Sequence, residues 1–411
     1  MAVFYLGDCD AGSQPQNRQL YLKPFHTDGL LVGKVSFRDD DRTKWRSFRE
    51  DSGKHVSKLQ HFLHKAGFMP RASFDGVFGY VTQAAVRLFQ EYVRSIEHVK
   101  DMVPDGIVGN GTMKHVERWQ QENKVAEWGT RNANNPTKQY TDWMDLLQQA
   151  KRHYEANPGP VLKHLNGISK TYATRKPSDW TFKTSDIHLI GVRRNQTQST
   201  TRRENDDLFF LLINGMVFTF WGSTDSSVNM AERKDEAFLI EGQHEYRFGW
   251  HKISVEQKIY RALKPKDPNG VMILRDWDND NALTDADLKV TDSNGKLKGI
   301  QVNPSINIHW SGIGTSNYSA GCQVIAGKSY INHNNELQDC SKFASSSYSG
   351  LTDSNKQTKG AYNMLTDLIL CYAPPHVTSI FYTLGREDSL ALSNNFGAEF
   401  ATNVLKRLKS V

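Results

Sequence analysis

The stretch Ile308–Ile325, I-H-W-S-G-I-G-T-S-N-Y-S-A-G-C-Q-V-I, places a histidine near one end and a cysteine near the other end of a glycine- and serine-rich loop. Cysteine attacks carbonyls as its thiolate, and a free thiol with a pKa of about 8.5 is mostly protonated at neutral pH unless a base or cation lies near it. His309 is the candidate base that this stretch offers Cys322. Gly321, directly before the cysteine, permits a close and strained backbone at a nucleophile, and the amides around it can hold a developing oxyanion. Together these residues have the parts of an acylation site. The bland alternative makes Cys322 a small buried hydrophobe and His309 a satisfied strand histidine, the usual fate of an isolated pair.

Such a pair needs rigid neighbours, and the region from Ile187 onward supplies strands. Leu208–Ile213 and Met216–Trp221 are apolar runs separated only by Asn214-Gly215, a strong hairpin signal. Further strands are expected at Ala237–Ile240, Glu245–Phe248, Val271–Leu274 and Ile306–Trp310, with a turn at Asn294-Gly295 and helices over Ala361–Tyr372 and Phe396–Leu408. The pattern H-x9-S-A-G-C within this region resembles the signature of L,D-transpeptidase (YkuD-like) catalytic domains, over roughly residues 180–345. The resemblance implies a β-sheet catalytic domain with Cys322 as nucleophile, His309 as base, and Ser319 and Gly321 as turn residues. The chain departs from the family pattern in a shorter His-to-Cys spacing, in Ala320 where a histidine is common, and in Val324 where a basic or amide residue is frequent.

Upstream, D-G-V-F-G-Y-V-T at 75–82 recurs as D-G-I-V-G-N-G-T at 105–112, each copy followed by a helical run. Asp-Gly makes a tight turn, the second glycine relieves crowding, and Thr82 or Thr112 is expected to cap the next helix. With L-Q-x-x-L-x-x-x-G at 59–67 and A-V-x-x-F-Q at 85–90, the segment from about 55 to 120 resembles the three-helix peptidoglycan-binding domain found beside many cell-wall enzymes. Asp75 and Asp105 are the residues of these turns expected to contact that polymer, while His251 and His333, near the catalytic strands, are expected to line the cleft with His244.

At 411 residues the chain is long enough for two or three domains. We expect a multi-domain α+β protein: an N-terminal extension (1–50), a peptidoglycan-binding-like domain (51–125), a helical linker (126–180) whose helix from Trp143 to Tyr154 packs between domains, and a β-rich catalytic domain with C-terminal helices (181–411). Short β-like runs at Val3–Leu6 and Leu30–Val35 and a charged, solvated cluster at 38–46 occupy the extension. The formal net charge of +6 comes from scattered basic residues, which suits an anionic polymer and argues against sequence-specific nucleic-acid binding. Four widely spaced cysteines give neither a zinc knuckle nor a dense disulfide framework, leaving open a single Cys340–Cys371 bridge. Asp276, Asp278, Asp280 and Asp287 imitate a calcium loop, but Asn281 stands at the glycine position and no bidentate Glu follows, so a solvated turn is expected. No cofactor or metal is called for.

The sequence shows neither a secretory signal nor a membrane span. A wall substrate then implies delivery by a secretion apparatus such as a type VI machine, as an antibacterial effector with an immunity protein, or release as a phage lysin or virion component. The departures at Ala320 and Val324, with the wall-binding module, favour stem-peptide cleavage over cross-link synthesis. A non-catalytic wall-binding protein is the rival from another class.

Overall fold

The computed structural model describes residues 4, 8–10, 49–51, 54–70, 74–194, 203–228, 236–251, 260–280, 283–347, 358–374, 377–397 and 399–411. The run Leu30–Val35 and the charged cluster at 38–46 lie outside them, as does Val3–Leu6 apart from Phe4. The architecture is mixed, with a helical N-terminal region followed by a β-rich C-terminal portion.

Two short strands, β1 (Asp8–Asp10) and β2 (Arg49–Asp51), pair in parallel ahead of helices α1 (His55–Lys65), α2 (Tyr80–Ser95) and α3 (Asn110–Glu122). Asp10 caps α1 by accepting from the amides of Val56 and Ser57 at 2.9 and 2.8 Å, and Phe4 bridges to Val108. The duplicated turns are held by a duplicated network. Gln60 donates to Asp75, to the Val77 carbonyl and to Thr82 while accepting from the Gly76 amide. Gln90 does the same with Asp105, Ile107, Thr112 and Gly106. Gly76 and Gly106 take φ of 68° and 76°, which a side chain would strain. The threonines do not cap the following helices, whose N-caps are Gly79 and Gly109; each sits one turn in and accepts the glutamine amide instead.

The segment after α3 folds into α4 (Glu127–Thr130), α5 (Lys138–Ala156) and α6 (Pro160–Asn166). The helix expected between domains packs on the β-rich portion: Trp143 of α5 lies 4.3 Å from the ring of Phe210 and 4.6 Å from that of Phe396. Its apolar stripe joins residues of α6 and of the C-terminal segment over that side of the strands.

The strands that follow are β3 (Thr174–Arg175), β4 (His188–Arg193), β5 (Asp207–Ile213), β6 (Met216–Ser223), β7 (Ala237–Leu239), β8 (Gly242–His251), β9 (Tyr260–Pro265), β10 (Val271–Arg275), β11 (Gln301–Asn303), β12 (Ile308–Trp310), β13 (Gln323–Ile325), β14 (Ser329–Ile331), β15 (Leu337–Asp339) and, after α7 (Ala361–Tyr372), β16 (Ile380–Arg386). Helix α8 (Phe400–Lys409) closes the chain. Pairing runs β13-β12-β9-β8-β16-β4-β5-β6, and β6 pairs back to β13, so these strands form a closed ring. Strands β14 and β15 extend from β6, and β7, β10 and β11 form a small separate sheet. Gly222 lets β6 approach β13: a Cβ there would collide with the Val324 carbonyl.

Strand β5, D-L-F-F-L-L-I, is buried along its whole length because both its faces are covered. Leu208, Phe210 and Leu212 share a core with α5 and α8, whereas Phe209, Leu211 and Ile213 share one with α7 and with α1 to α3. Helix α7 is buried on all sides because α2 packs on it, and α2 is itself nearly all buried. Arg87 of α2 donates to Asp367 of α7 through Nε at 2.6 Å and Nη2 at 2.9 Å, and Arg261 of β9 donates to the same carboxylate at 3.1 Å. Glu91 joins Arg94 and Tyr330 beside them. The peptidoglycan-binding-like helices therefore share a core and a buried ion network with the β-rich portion.

His244, expected near the cleft, lies buried between the Thr174 hydroxyl (2.9 Å) and the Ile240 carbonyl (3.0 Å). Burial depresses its pKa to about 3. The neutral ring therefore stabilises the fold above the unfolded pKa of about 6.5, and this contribution is lost as pH falls toward 3, at about 1.4 kcal/mol per pH unit. Urea melts from pH 8 to pH 4 should show stability falling below pH 6.5 with a slope that His244→Gln lowers by about one proton, buried His188 and His333 supplying the remainder; an unchanged slope would place the titration elsewhere.

Candidate functional site

The S-A-G-C turn sits where the ring closes. Strands β12 and β13 pair in parallel, with Ile308 opposite Gln323 and His309 opposite Val324. A parallel pair needs a crossover, and the loop from Ser311 to Cys322 provides it. Asn205 pins that loop by donating to the carbonyls of Gly314 and Ser316 at 3.0 and 3.2 Å. Asn317 Oδ1 accepts from the Ser319 amide at 2.9 Å, and Asn317 Nδ2 donates to Ser223 Oγ and the Asp225 carbonyl, both at 3.0 Å. Ser319 Oγ then donates to the carbonyl of Cys322 at 2.7 Å, closing the S-A-G-C turn on itself. Gly321 takes φ of +137°, and a Cβ there would sit 2.9 Å from the Ala237 carbonyl. Any side chain would strain the turn and push the cysteine off the neighbouring strand.

Cys322 is partly exposed. Its thiol donates to the Ser305 carbonyl at 3.1 Å, and its sulfur accepts from the Asn307 amide at 3.3 Å. The amide donor favours a thiolate and the carbonyl acceptor a thiol, so the sulfur is positioned for either form. The register that sets His309 opposite Val324 puts His309 and Cys322, two residues before Val324, on the same face of the pair. Both side chains line one cleft of about 580 Å³.

The tautomer of His309 follows from its partners. Nδ1 lies 2.9 Å from the Trp310 carbonyl, which can only accept, so Nδ1 carries the proton. Tyr260 places its hydroxyl 3.2 Å from the same nitrogen and 3.4 Å from the Trp310 carbonyl. A backbone carbonyl thus orients the ring, with a tyrosine beside it. Tyr260→Phe is expected to lower turnover roughly two- to tenfold, the worth of one hydrogen bond that holds a base in place. A loss of a thousandfold would instead make the phenol part of the chemistry.

His251 stacks on His309 with ring centroids 4.4 Å apart and also lines the cleft. The other expected binding residues lie elsewhere. His333 is buried outside the cleft: its Nδ1 accepts from Trp128 at 3.1 Å, and Nε2 lies 3.2 Å from Glu127, because β14 carries it under α4. Asp75 and Asp105 spend their carboxylates on the Val77 and Ile107 amides and the two glutamines, holding their own turns. Cys340 and Cys371 are buried free thiols and form no bridge. Among the described residues, Asp276, Asp278 and Asp287 bring ligand atoms within 4.8 Å of one another. Backbone amides already occupy them: Asp287 accepts from Trp277 at 2.6 Å and Thr284 at 3.0 Å, and Asp276 from Asp280 at 3.1 Å.

Several contributors were not visible beforehand. Tyr260, Ser305, Asn307 and Arg275 carry no motif, and the loop Ser223–Ser227 that supports the turn looks like an ordinary polar stretch. Behind that loop Arg193 pairs with Asp225 at 2.9 Å. Asp207, accepting from the Thr224 amide at 2.6 Å, is pushed up to about 7 by burial and by Asp225.

Comparison with known proteins returns one family: residues 52–94 match a putative peptidoglycan binding domain. The match spans α1, the first Asp-Gly turn and nearly all of α2. No curated protein matches. Among solved structures, a fused Zn-dependent amidase/peptidase/peptidoglycan-binding domain-containing protein from Clostridium acetobutylicum ATCC 824 aligns at 14% identity over 81% of this chain and 96% of its own, with a TM-score of 0.20. Among the described residues no helix is long and apolar enough to cross a membrane.

Proposed function

We propose that this protein is a peptidoglycan-directed cysteine enzyme that cleaves or exchanges amide bonds of the stem peptides. The observation that carries the reading is the cleft itself, where the Cys322 thiol and a histidine oriented through Nδ1 open onto the same space. His309 Nε2 takes the thiol proton, and Cys322 Sγ bonds to the scissile carbonyl carbon. The C–N bond then breaks, with the proton returned to the leaving amine. The amides of the Gly321–Cys322 turn face the developing oxyanion. Attack on the thioester by water completes hydrolysis, and attack by an amine completes exchange. The L,D-transpeptidase-like motif supports this assignment. The peptidoglycan-binding match supports the polymer as partner.

Purified full-length protein incubated with muropeptides should yield shortened or exchanged stems by mass spectrometry; unaltered muropeptides across acceptors and pH would refute the reading. We further propose action in the wall compartment of a target cell, as an antibacterial effector. Expression behind a periplasmic leader should lyse a Gram-negative host that tolerates the same chain in its cytoplasm, and equal tolerance of both would remove the effector role. Full-length Cys322→Ala should co-sediment with insoluble peptidoglycan, and its staying in the supernatant would argue against wall binding.

A further inference from the structure

Gln323 follows Cys322 directly and has no part in the mechanism above. Cys322 and Val324 line the cleft, so the side chain between them leaves the strand on the other side, where Gln323 is fully buried. A buried amide needs partners at both its ends, and each end has one. Nε2 donates to the Thr224 carbonyl at 3.2 Å and to the Gly321 carbonyl at 3.4 Å, while Oε1 accepts from the Tyr382 hydroxyl at 3.0 Å. Thr224 is itself fixed: its amide and hydroxyl donate to Asp207 at 2.6 and 2.8 Å, and its carbonyl accepts from Arg193 at 2.9 Å. The Gly321 carbonyl is therefore turned toward the buried side chain and away from the cleft. The Gly321–Cys322 peptide is trans, so its N–H points opposite to that carbonyl, to the side on which the thiol opens.

We propose that Gln323 is a positioning residue that aims the Cys322 N–H at the oxyanion, by holding the Gly321 carbonyl on the far side of the same peptide. This role rests on Cys322 being the acylated nucleophile. When Cys322 Sγ bonds to the scissile carbonyl carbon, the C=O electron pair moves to oxygen; the Cys322 N–H donates to that oxygen until the pair returns and the leaving group departs. Alkylation needs no such donor, because Sγ displaces iodide, with its bonding pair, from a saturated carbon and no oxygen gains charge. A residue that only supported the fold would act on both reactions alike.

Full-length protein at pH 8 is acylated with p-nitrophenyl acetate, which releases p-nitrophenolate as Sγ takes the acetyl group, and in parallel alkylated with iodoacetamide. Both reactions are followed at Cys322 by peptide mapping after acid quench. In the wild type the acylation-to-alkylation rate ratio should exceed that of free cysteine by about 10²-fold, the worth of one oxyanion donor. Gln323→Met, similar in shape but without a donor, should lower the ratio at least about tenfold while the iodoacetamide rate stays within about twofold. Tyr382→Phe removes only the hydroxyl that holds Oε1 and should lower the ratio about two- to fivefold, so the test does not depend on one variant folding. A wild-type ratio equal to that of free cysteine, a ratio unchanged by both variants, or a parallel fall in both rates overturns the role of Gln323 and leaves the nucleophile assignment standing. A Cys322 inert to both reagents overturns that assignment as well.

Discussion

Cys322→Ala and Cys322→Ser should each abolish muropeptide turnover, with a loss of at least about 10⁴-fold, because a nucleophile and its base act as a unit and removing one member removes the pathway. Serine is no substitute at this position. Its hydroxyl is far less acidic than a thiol, and one amide donor at this position is too mild to ionise an alcohol. Cys340→Ala is the matched control. That thiol is buried near Arg94, Glu91 and Tyr330, and burial pushes its pKa far up, so it is chemically silent. Its loss should cost stability while leaving most of the activity. If Cys322→Ala retained turnover, the acyl-enzyme pathway would be wrong. His309→Ala should likewise move the pH profile of Cys322 alkylation to that of a free thiol, and an unchanged profile would show that imidazole and thiol are not coupled.

The second large effect is on folding. Asp367→Ala should destabilise the protein by about 3–5 kcal/mol, the cost of leaving buried charges without their partner. Asp367 accepts three hydrogen bonds from two guanidinium groups, and both arginines are almost wholly buried. Arg87 belongs to the peptidoglycan-binding-like helices and Arg261 to the strand ring, so this one carboxylate ties the two together. Unfolding followed by tryptophan fluorescence and by far-UV circular dichroism should give one coincident transition, shifted in the variant. Deleting residues 51–125 would bare α7 and leave these charges facing water and apolar surface, and the remainder should be insoluble. Two separate transitions, or a shift below about 1 kcal/mol, would mean that the interface carries little energy. The duplicated turns alone suggest a separable module; the depth of α2 in the common core argues that it is not one.

What could be read from the sequence follows the range of the interactions concerned. The Asn214-Gly215 hairpin is local, and φ values of 50° and 71° at those residues give the tight turn that the dipeptide favours. The Asp-Gly repeats are local too. Helix α7 begins and ends where its apolar run does, whereas α8 starts later than expected because Phe396 packs with Trp143 from outside the helix. Strand β9, Y-R-A-L-K-P, escaped notice because Arg261 breaks its apolar pattern, and the carboxylate that makes that arginine tolerable lies far along the chain. Strand β16 lies between the two expected C-terminal helices, where no strand is expected, although it sits between β8 and β4 in the ring. The site repeats the lesson. His309, Ser319, Gly321 and Cys322 are close in sequence and form a visible motif. Tyr260 and Arg275 enter only through strand pairing, and His333 leaves the cleft for the same reason.

The central claim is a covalent bond to one sulfur, and intact-protein mass spectrometry after rapid acid quench tests it most directly. Wild-type protein mixed with a stem tetrapeptide should gain the mass of the acyl fragment, and peptide mapping should place that mass on the segment carrying Cys322. Hydroxylamine should release it as expected for a thioester. Product formation without any adduct on Cys322, or with the adduct on another residue, would contradict the account.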